Sequence, residues 1–378
     1  MKTLSYGRQW INDDDISEVV KVLKGDWLTM GPAVDAFEKS LADYAGVKHA
    51  VTFSSGTAAL HGAMFASGMG AGDFAVTTAL TFVATSNSVI YTGATPIFAD
   101  IDDTFCMNPA EAEKAVQSHG GKVKAIIPVS FAGYPFDMGA FRKLAEKYNA
   151  VLIEDASHAW GGDRENHKIG FDADMTTLSF HPVKHITTAE GGAVLTDNDE
   201  YARRLRMFRN HGTTRNASEF VDVPDGPWHS EMQELGYNYR LSEVHCALGL
   251  SQMRRLDEFV AIRRGIAELY FSQLSGVEGL VLPPNKSGHA WHLFIARVKD
   301  ELHGEFFAYL RDNDIRLQVH YRPVPLQPYY RRKYGYKAGD FPQAEKYYRQ
   351  AVSLPIFPMM TDDDVLRVCG VIKNFVWR

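Results

Sequence analysis

Short apolar runs rich in β-branched residues recur between Val47 and about Asn198, separated by amphipathic stretches. The runs His49 to Phe53, Phe74 to Thr77, Thr95 to Asp100, Lys124 to Val129, Ala150 to Glu154, Met175 to Phe180 and Gly192 to Thr196 read as strands. Pro109 to Gln117 and Met138 to Tyr148 place apolar residues at helical spacing. Such alternation predicts an α/β fold with a large, mostly parallel sheet covered by helices, whose functional residues gather at the carboxyl ends of the strands.

The flanks are helical. Asn12 to Asp15 open a helix with capping and dipole-favourable residues, Ile16, Val19, Val20 and Leu23 fall on one face, and Gly25 ends it. A loop with an aromatic residue, Asp26 to Pro32, follows. After Asn238 a long helical segment, Leu241 to about Phe271, leads past Pro283-Pro284 to a smaller α/β region. Its expected elements are a strand at His292 to Val298, a helix at Gly304 to Asp312, a strand at Ile315 to His320 and a last helix from Asp363. The expected division is therefore residues 1–245, a large domain, and 246–378, a linking helix with a small C-terminal domain.

Composition narrows the class. A chain of 378 residues with 45% hydrophobic and 23% charged residues has enough material for two cores, and a net charge of −6 disfavours nucleic acid and anionic membranes as partners. Cys106, Cys246 and Cys369 are too scattered to hold zinc or an iron–sulfur cluster, so no metal site is expected. An odd cysteine count, a polar segment Met1 to Trp10 and the lack of any apolar run near about 20 residues point to a soluble protein of the cytoplasm.

The candidate chemistry centres on Lys184, in the irregular segment Ser179 to Gly192 between two predicted strands. A lysine packed under apolar walls loses hydration, its pKa falls, and its amine can attack an aldehyde to form a Schiff base, the linkage used by pyridoxal 5'-phosphate. Asp155, ending the apolar run Ala150 to Glu154, would pair with the pyridinium nitrogen or simply cap a following helix. His158 follows near the hydroxyl edge of the ring. Ser54-Ser55-Gly56-Thr57 joins a strand to a helix, where free N–H groups and the dipole attract a phosphate, although an ordinary turn reads similarly. Ser179 can add its hydroxyl to the same phosphate, and Phe82 would stack on the pyridine ring or belong to the core. Arg203, Arg204, Arg206 and Arg209 read as a solvated or interface face of a helix.

The ordered set Ser55-Gly56-Thr57, Thr81 to Thr85, Gly93 to Pro96, Phe131-Ala132-Gly133, Glu154 to Ala159, Lys184 with Glu190-Gly191-Gly192, and Gly236 to Glu243 resembles the DegT-type nucleotide-sugar aminotransferases along nearly the whole chain. The resemblance implies the aspartate-aminotransferase (type I) fold and a homodimer with active sites shared across the interface. It implies Lys184 as the Schiff-base lysine, Asp155 as the pyridinium partner and His158 at the ring edge. Gly56, Thr57 and Ser179 become phosphate ligands, Phe82 the stacking residue, and Asn238 a phosphate ligand in the neighbouring subunit.

Flanking segments such as Phe180-His181-Pro182-Val183-Lys184, Gly226-Pro227-Trp228, Glu231 to Asn238 and Gln318 to Tyr321 resemble the branch that aminates C4 of UDP-4-keto-6-deoxy-N-acetylhexosamines on the way to pseudaminic acid. That branch implies L-glutamate as amino donor. It places Tyr6, the loop Asp26, Trp27, Leu28 and Thr29, and Gln318, Val319, His320 and Tyr321 around the sugar nucleotide. One departure is visible: where relatives often read His-Tyr-x-Pro-x-His, Pro325 replaces the second histidine. Other 4-keto sugar aminotransferases, a sugar 3-dehydratase and a non-catalytic sensor share the fold; retention of Lys184 and Asp155 sets this chain apart from the last two.

Overall fold

The computed structural model describes residues 3–165 and 167–377. Its centre is a seven-stranded sheet made of β1 (His49–Phe53), β2 (Phe74–Thr78), β3 (Thr95–Ala99), β4 (Ala125–Ile127), β5 (Val151–Asp155), β6 (Met175–Ser179) and β7 (Gly192–Thr196), in the order β1-β7-β6-β5-β4-β2-β3. All strands run the same way except β7, which is antiparallel to both of its neighbours. The expected strands are present with ends shifted by one or two residues at most positions. The large, mostly parallel sheet that was expected is the one found.

Both faces of the sheet are buried, which explains the near-continuous apolar runs. Alternate residues divide between the faces. Val51, Phe53, Ile127, Ile153, Met175 and Val194 face one cluster with helix α3 (Gly56–Ala66), while Ala50, Leu178, Ala193 and Leu195 face another with α2 (Pro32–Ala45). Helix α3 is buried nearly all round, and its small residues Ala58, Ala59, Gly62 and Ala63 let it lie close to the sheet.

Two expectations about helices change. The first helix, α1 (Asp13–Leu23), has the expected capping box from Asn12 and Asp15, but its apolar face is not buried: Ile16 and Leu23 are 54% and 58% exposed. The buried residue is Asp15, whose Oδ2 accepts hydrogen bonds from Gln252 Nε2 at 2.7 Å and Arg255 Nη2 at 2.5 Å. The segment from Leu241 is not one helix but two, Glu243–Met253 and Leu256–Leu274. They break at Arg255, which is held by Asp15 and lies over the rings of Trp10 and Phe259. No Gly or Pro marks that break, so only tertiary contacts produce it.

The C-terminal region builds a three-stranded antiparallel sheet from Leu280–Val281, Phe294–Val298 and Ala351–Leu354, packed with the helices His303–Asp312 and Asp362–Lys373. The chain's first strand, Leu4–Ser5, pairs with Ile315–Arg316, and Leu4 is buried in this second core. That crossing brings the Tyr6 ring to 4.9 Å from that of His320. The strand expected at Ile315 to His320 covers only Ile315–Arg316; beyond it the chain turns into the site. No helix among the described residues is long and apolar enough to cross a membrane.

Candidate active site

The carboxyl ends of β1, β2, β5 and β6 open onto one cavity of about 490 Å³. Lys184, Asp155, His158, Ser179, Gly56, Thr57 and Phe82 all line it. The lysine leaves the sheet on a segment pinned at both ends: Phe180 and Ile186 are buried, Lys184 N–H donates to His181 O at 2.9 Å, and Thr188 N–H returns to Phe180 O at 3.0 Å. Its amine stands 3.5 Å from His292 Nε2. Burial lowers the Lys184 amine from its ordinary value to about 8, Asp155 opposes that shift and Arg263 adds to it. An amine in that range is uncharged often enough at neutral pH to act as a nucleophile.

Asp155 is buried at the end of β5. Its Oδ2 accepts from Thr85 Oγ1 at 2.7 Å, and Oδ1 accepts from Ser157 N–H at 3.1 Å. Both donors are neutral. A buried carboxylate with neutral donors and an open cavity in front of it suits a cationic ring N–H. The bond from Ser157 is an Asx-type turn, so the helix-cap alternative does not hold: no helix follows within the segment.

His158 is held in one tautomer. Ala132 N–H donates to its Nδ1 at 3.3 Å, which leaves the proton on Nε2, 3.4 Å from the Tyr321 hydroxyl. Burial first, then the charge of Lys184, hold it well below the ordinary histidine range, so the ring is neutral.

The turn after β1 meets the start of β7. A Cβ on Gly192 would lie 2.6 Å from Ser55 O and 2.7 Å from Gly56 Cα, and a Cβ on Gly56 would lie 2.9 Å from Ser179 Cβ. Only glycine permits this approach of the α3 N-terminus to the Ser179 hydroxyl. Ser55 caps α3 by accepting from Ala58 N–H at 3.1 Å, and the first-turn N–H groups of a helix have no partner within it. The result is a polar cradle in the same cavity as Asp155.

Phe82 is 54% exposed at the rim, with its ring 5.8 Å from that of Tyr321. It is therefore not a core residue. Tyr6, Gln318, Val319, His320 and Tyr321 line the same cavity, and the His320 ring is fixed by Ser353 Oγ at 2.8 Å. The remaining expected residues lie elsewhere. Asp26, Trp27, Leu28 and Thr29 are exposed and line no part of the cavity of their own chain; the loop is tied instead to the next layer, through Glu243 N–H to Leu28 O at 3.1 Å. Asn238 is also exposed and outside it.

Sequence reasoning missed two residues. Thr85, the partner of Asp155, lies one helical turn after Phe82, a spacing that could have drawn attention to it. His292 comes from the C-terminal region, 108 positions from Lys184, with no local signal beyond the edge of a strand.

A family model for the DegT/DnrJ/EryC1/StrS aminotransferases matches residues 9–373. The spore coat polysaccharide biosynthesis protein SpsC of Bacillus subtilis is 38% identical over 381 residues, covering 99% of this chain and 97% of SpsC. Helicobacter pylori PseC, described as an aminotransferase in the biosynthesis of pseudoaminic acid, superposes with a TM-score of 0.90 at 29% identity, with 98% of each chain covered. Spr1654 of Streptococcus pneumoniae, in its PMP form, superposes at 0.91 with 28% identity, again with 98% of each chain covered. An amine, a buried carboxylate, a helix N-terminus and an exposed aromatic face around one cavity match what a phosphorylated pyridine aldehyde requires, and the chain belongs to the DegT/DnrJ/EryC1/StrS aminotransferase family as a pyridoxal phosphate-dependent enzyme.

Proposed function

We propose that this sugar aminotransferase moves the amino group of L-glutamate to C4 of a UDP-linked 4-keto-6-deoxy-N-acetylhexosamine. The product is then UDP-4-amino-4,6-dideoxy-N-acetyl-β-L-altrosamine, as in pseudaminic acid biosynthesis. The observation that carries the proposal is the single cavity shared by the Lys184 amine, the Asp155 carboxylate and the α3 N-terminus. The likeness to PseC over 98% of both chains supports the choice of sugar. When bound, pyridoxal phosphate supplies the electron sink and carries nitrogen between the two substrates.

The chain's own residues do the rest. The α3 N-terminus, Gly56, Thr57 and Ser179 bind the phosphate, Asp155 accepts the ring N–H, and Phe82 covers one face of the ring. His158 offers its Nε2–H toward the ring edge beside Tyr321. Lys184 takes a proton from the α-carbon of the donor and, in the second half, gives one to C4 of the sugar. Nitrogen leaves glutamate as 2-oxoglutarate forms, and the sugar ketone is reduced to an amine by the same two electrons.

A second copy of the chain completes the site. Asn238 reaches the phosphate of the neighbouring subunit, and Asp26 to Thr29 contact the sugar nucleotide there. The exposure of Asn238, of Trp27 at 59% and of Leu28 at 54% in one chain supports this.

The test incubates the protein with pyridoxal phosphate, L-glutamate and each of two C5-epimeric UDP-4-keto-6-deoxy-N-acetylhexosamines, and measures 2-oxoglutarate and the amino sugar. Turnover of the L-arabino epimer is expected to exceed that of its partner. Equal inactivity toward both, with turnover of a GDP-linked 4-keto sugar, would overturn the substrate assignment.

A further inference from the structure

Five histidines lie near enough to Lys184 to feel its charge, His158, His181, His185, His292 and His320, and three of them, His158, His185 and His292, are joined by ring contacts. These three are buried, with the His158 and His292 rings 4.3 Å apart. In two of them the backbone dictates where the proton sits. His158 Nδ1 accepts from Ala132 N–H at 3.3 Å, and His185 Nε2 donates to Ala290 O at 2.9 Å. His292 is different. Its Nδ1 is buried without a hydrogen-bond partner among the described residues, and its Nε2 faces the Lys184 amine alone at 3.5 Å. Nothing therefore selects the tautomer of His292 except the state of Lys184.

The ring is nevertheless held in place. Arg263, fully buried, donates from Nη1 to the carbonyls of Trp291 at 3.3 Å, His292 at 3.4 Å and Ile356 at 2.9 Å. No carboxylate neutralises it, and its Nε and Nη2 find no acceptor among the described residues. A buried guanidinium spent on backbone carbonyls is costly, and here it fixes the turn that presents His292.

We propose that His292 is a positioning residue for Lys184, accepting a hydrogen bond at Nε2 from the lysine when it is protonated and donating one from Nε2 when it is not. The role deepens the transaminase reading and rests on it. An amine that binds a carbonyl compound reversibly must be parked, in either protonation state, whenever it is released, and a freely tautomerising ring does this without itself becoming charged. Burial and the neighbouring Lys184 hold His292 well below the ordinary histidine range, which keeps it neutral. The separation of 3.5 Å is at the long limit for a hydrogen bond.

The test uses the cofactor-free full chain as wild type, His292→Gln and His292→Phe. Each is exposed to pyridoxal phosphate between about pH 6 and 10, trapped with borohydride, and the label on Lys184 is quantified by mass spectrometry. Asp155, His158, His181, His185, His320 and Arg263 also act on this amine and are unchanged in all three proteins. Glutamine places an amide that can accept or donate near the Nε2 position, so its midpoint is expected to stay with wild type. Phenylalanine keeps the ring and removes the partner. Because the bond to the ammonium is the stronger of the two, the midpoint should fall by about one pH unit.

Equal midpoints in wild type and His292→Phe, or a shift in His292→Gln as large as in His292→Phe, overturn the role of His292. Absence of label on Lys184 in the wild type overturns the transaminase reading and this role with it. If circular dichroism shows His292→Phe unfolded, His292→Asn, whose shorter side chain withdraws the acceptor, takes its place with the same expectation.

Discussion

Phe82 and Trp27 are both aromatic residues on loops, 54% and 59% exposed, yet their surroundings differ. Phe82 stands at the mouth of a cavity walled by Asp155, Lys184 and Thr57 of its own chain. Trp27 is followed by the exposed Leu28 and Met30 and does not line the cavity that holds Lys184. An apolar ring beside convergent polar groups matches a flat ligand, whereas a run of exposed apolar residues on a helix and its following loop matches another protein surface. The two regions thus differ in kind: one gathers side chains of its own chain around a cavity, and the other leaves apolar side chains exposed.

Removing the amine from the cavity has the largest expected effect. Lys184→Ala should lower transaminase turnover roughly 10⁴-fold or more, as loss of a nucleophile does, with an unchanged circular dichroism spectrum. Full activity in that variant would sink the assignment.

Asp155→Ala should lower kcat roughly 10²- to 10³-fold, the scale of losing one preorganised electrostatic partner. The Thr85 hydroxyl then loses the carboxylate to which it donates. A change confined to KM would show that Asp155 only binds.

In the other region, Leu28→Asp combined with Trp27→Asp should weaken self-association about tenfold or more, measured by sedimentation velocity, while the monomer keeps its fold. Turnover should fall in parallel as the monomer fraction rises. A stable dimer with full activity would move the interface elsewhere.

Gly56→Ala is expected to be milder. Its methyl would press on the Ser179 side chain and raise the pyridoxal phosphate concentration needed for half-saturation about tenfold, followed by absorbance titration of the cofactor-free protein. The smallest effect is one of pH. Because the Lys184 value is lowered to about 8, the uncharged amine dominates above pH 8, and borohydride-trapped label should rise through that pH. A rise only near pH 10 would mean a solvated lysine.

Much of the site was legible because its residues sit at the carboxyl ends of strands, where a near-continuous apolar run stops and a polar or glycine residue follows. Asp155 after Val151 to Glu154, and Gly56 after His49 to Phe53, are read this way. Residues whose role depends on distant neighbours were not. Arg209, on a helix that reads as a solvated basic face, is buried against Glu38 and donates to Thr52 O at 2.9 Å. The break at Arg255 and the inward Asp15 likewise arise from a contact between segments 240 residues apart.

From its sequence alone this chain determined a parallel sheet, the order of its strands along the chain, and a lysine, a carboxylate and a phosphate turn at strand ends, because alternation and turn chemistry act over a few residues. Only the tertiary structure decided that β7 runs against its neighbours, that Leu4 crosses to the C-terminal core, and that His292 meets Lys184. Those depend on packing and on buried charges finding partners, and such interactions carry no information about how far apart the partners lie along the chain.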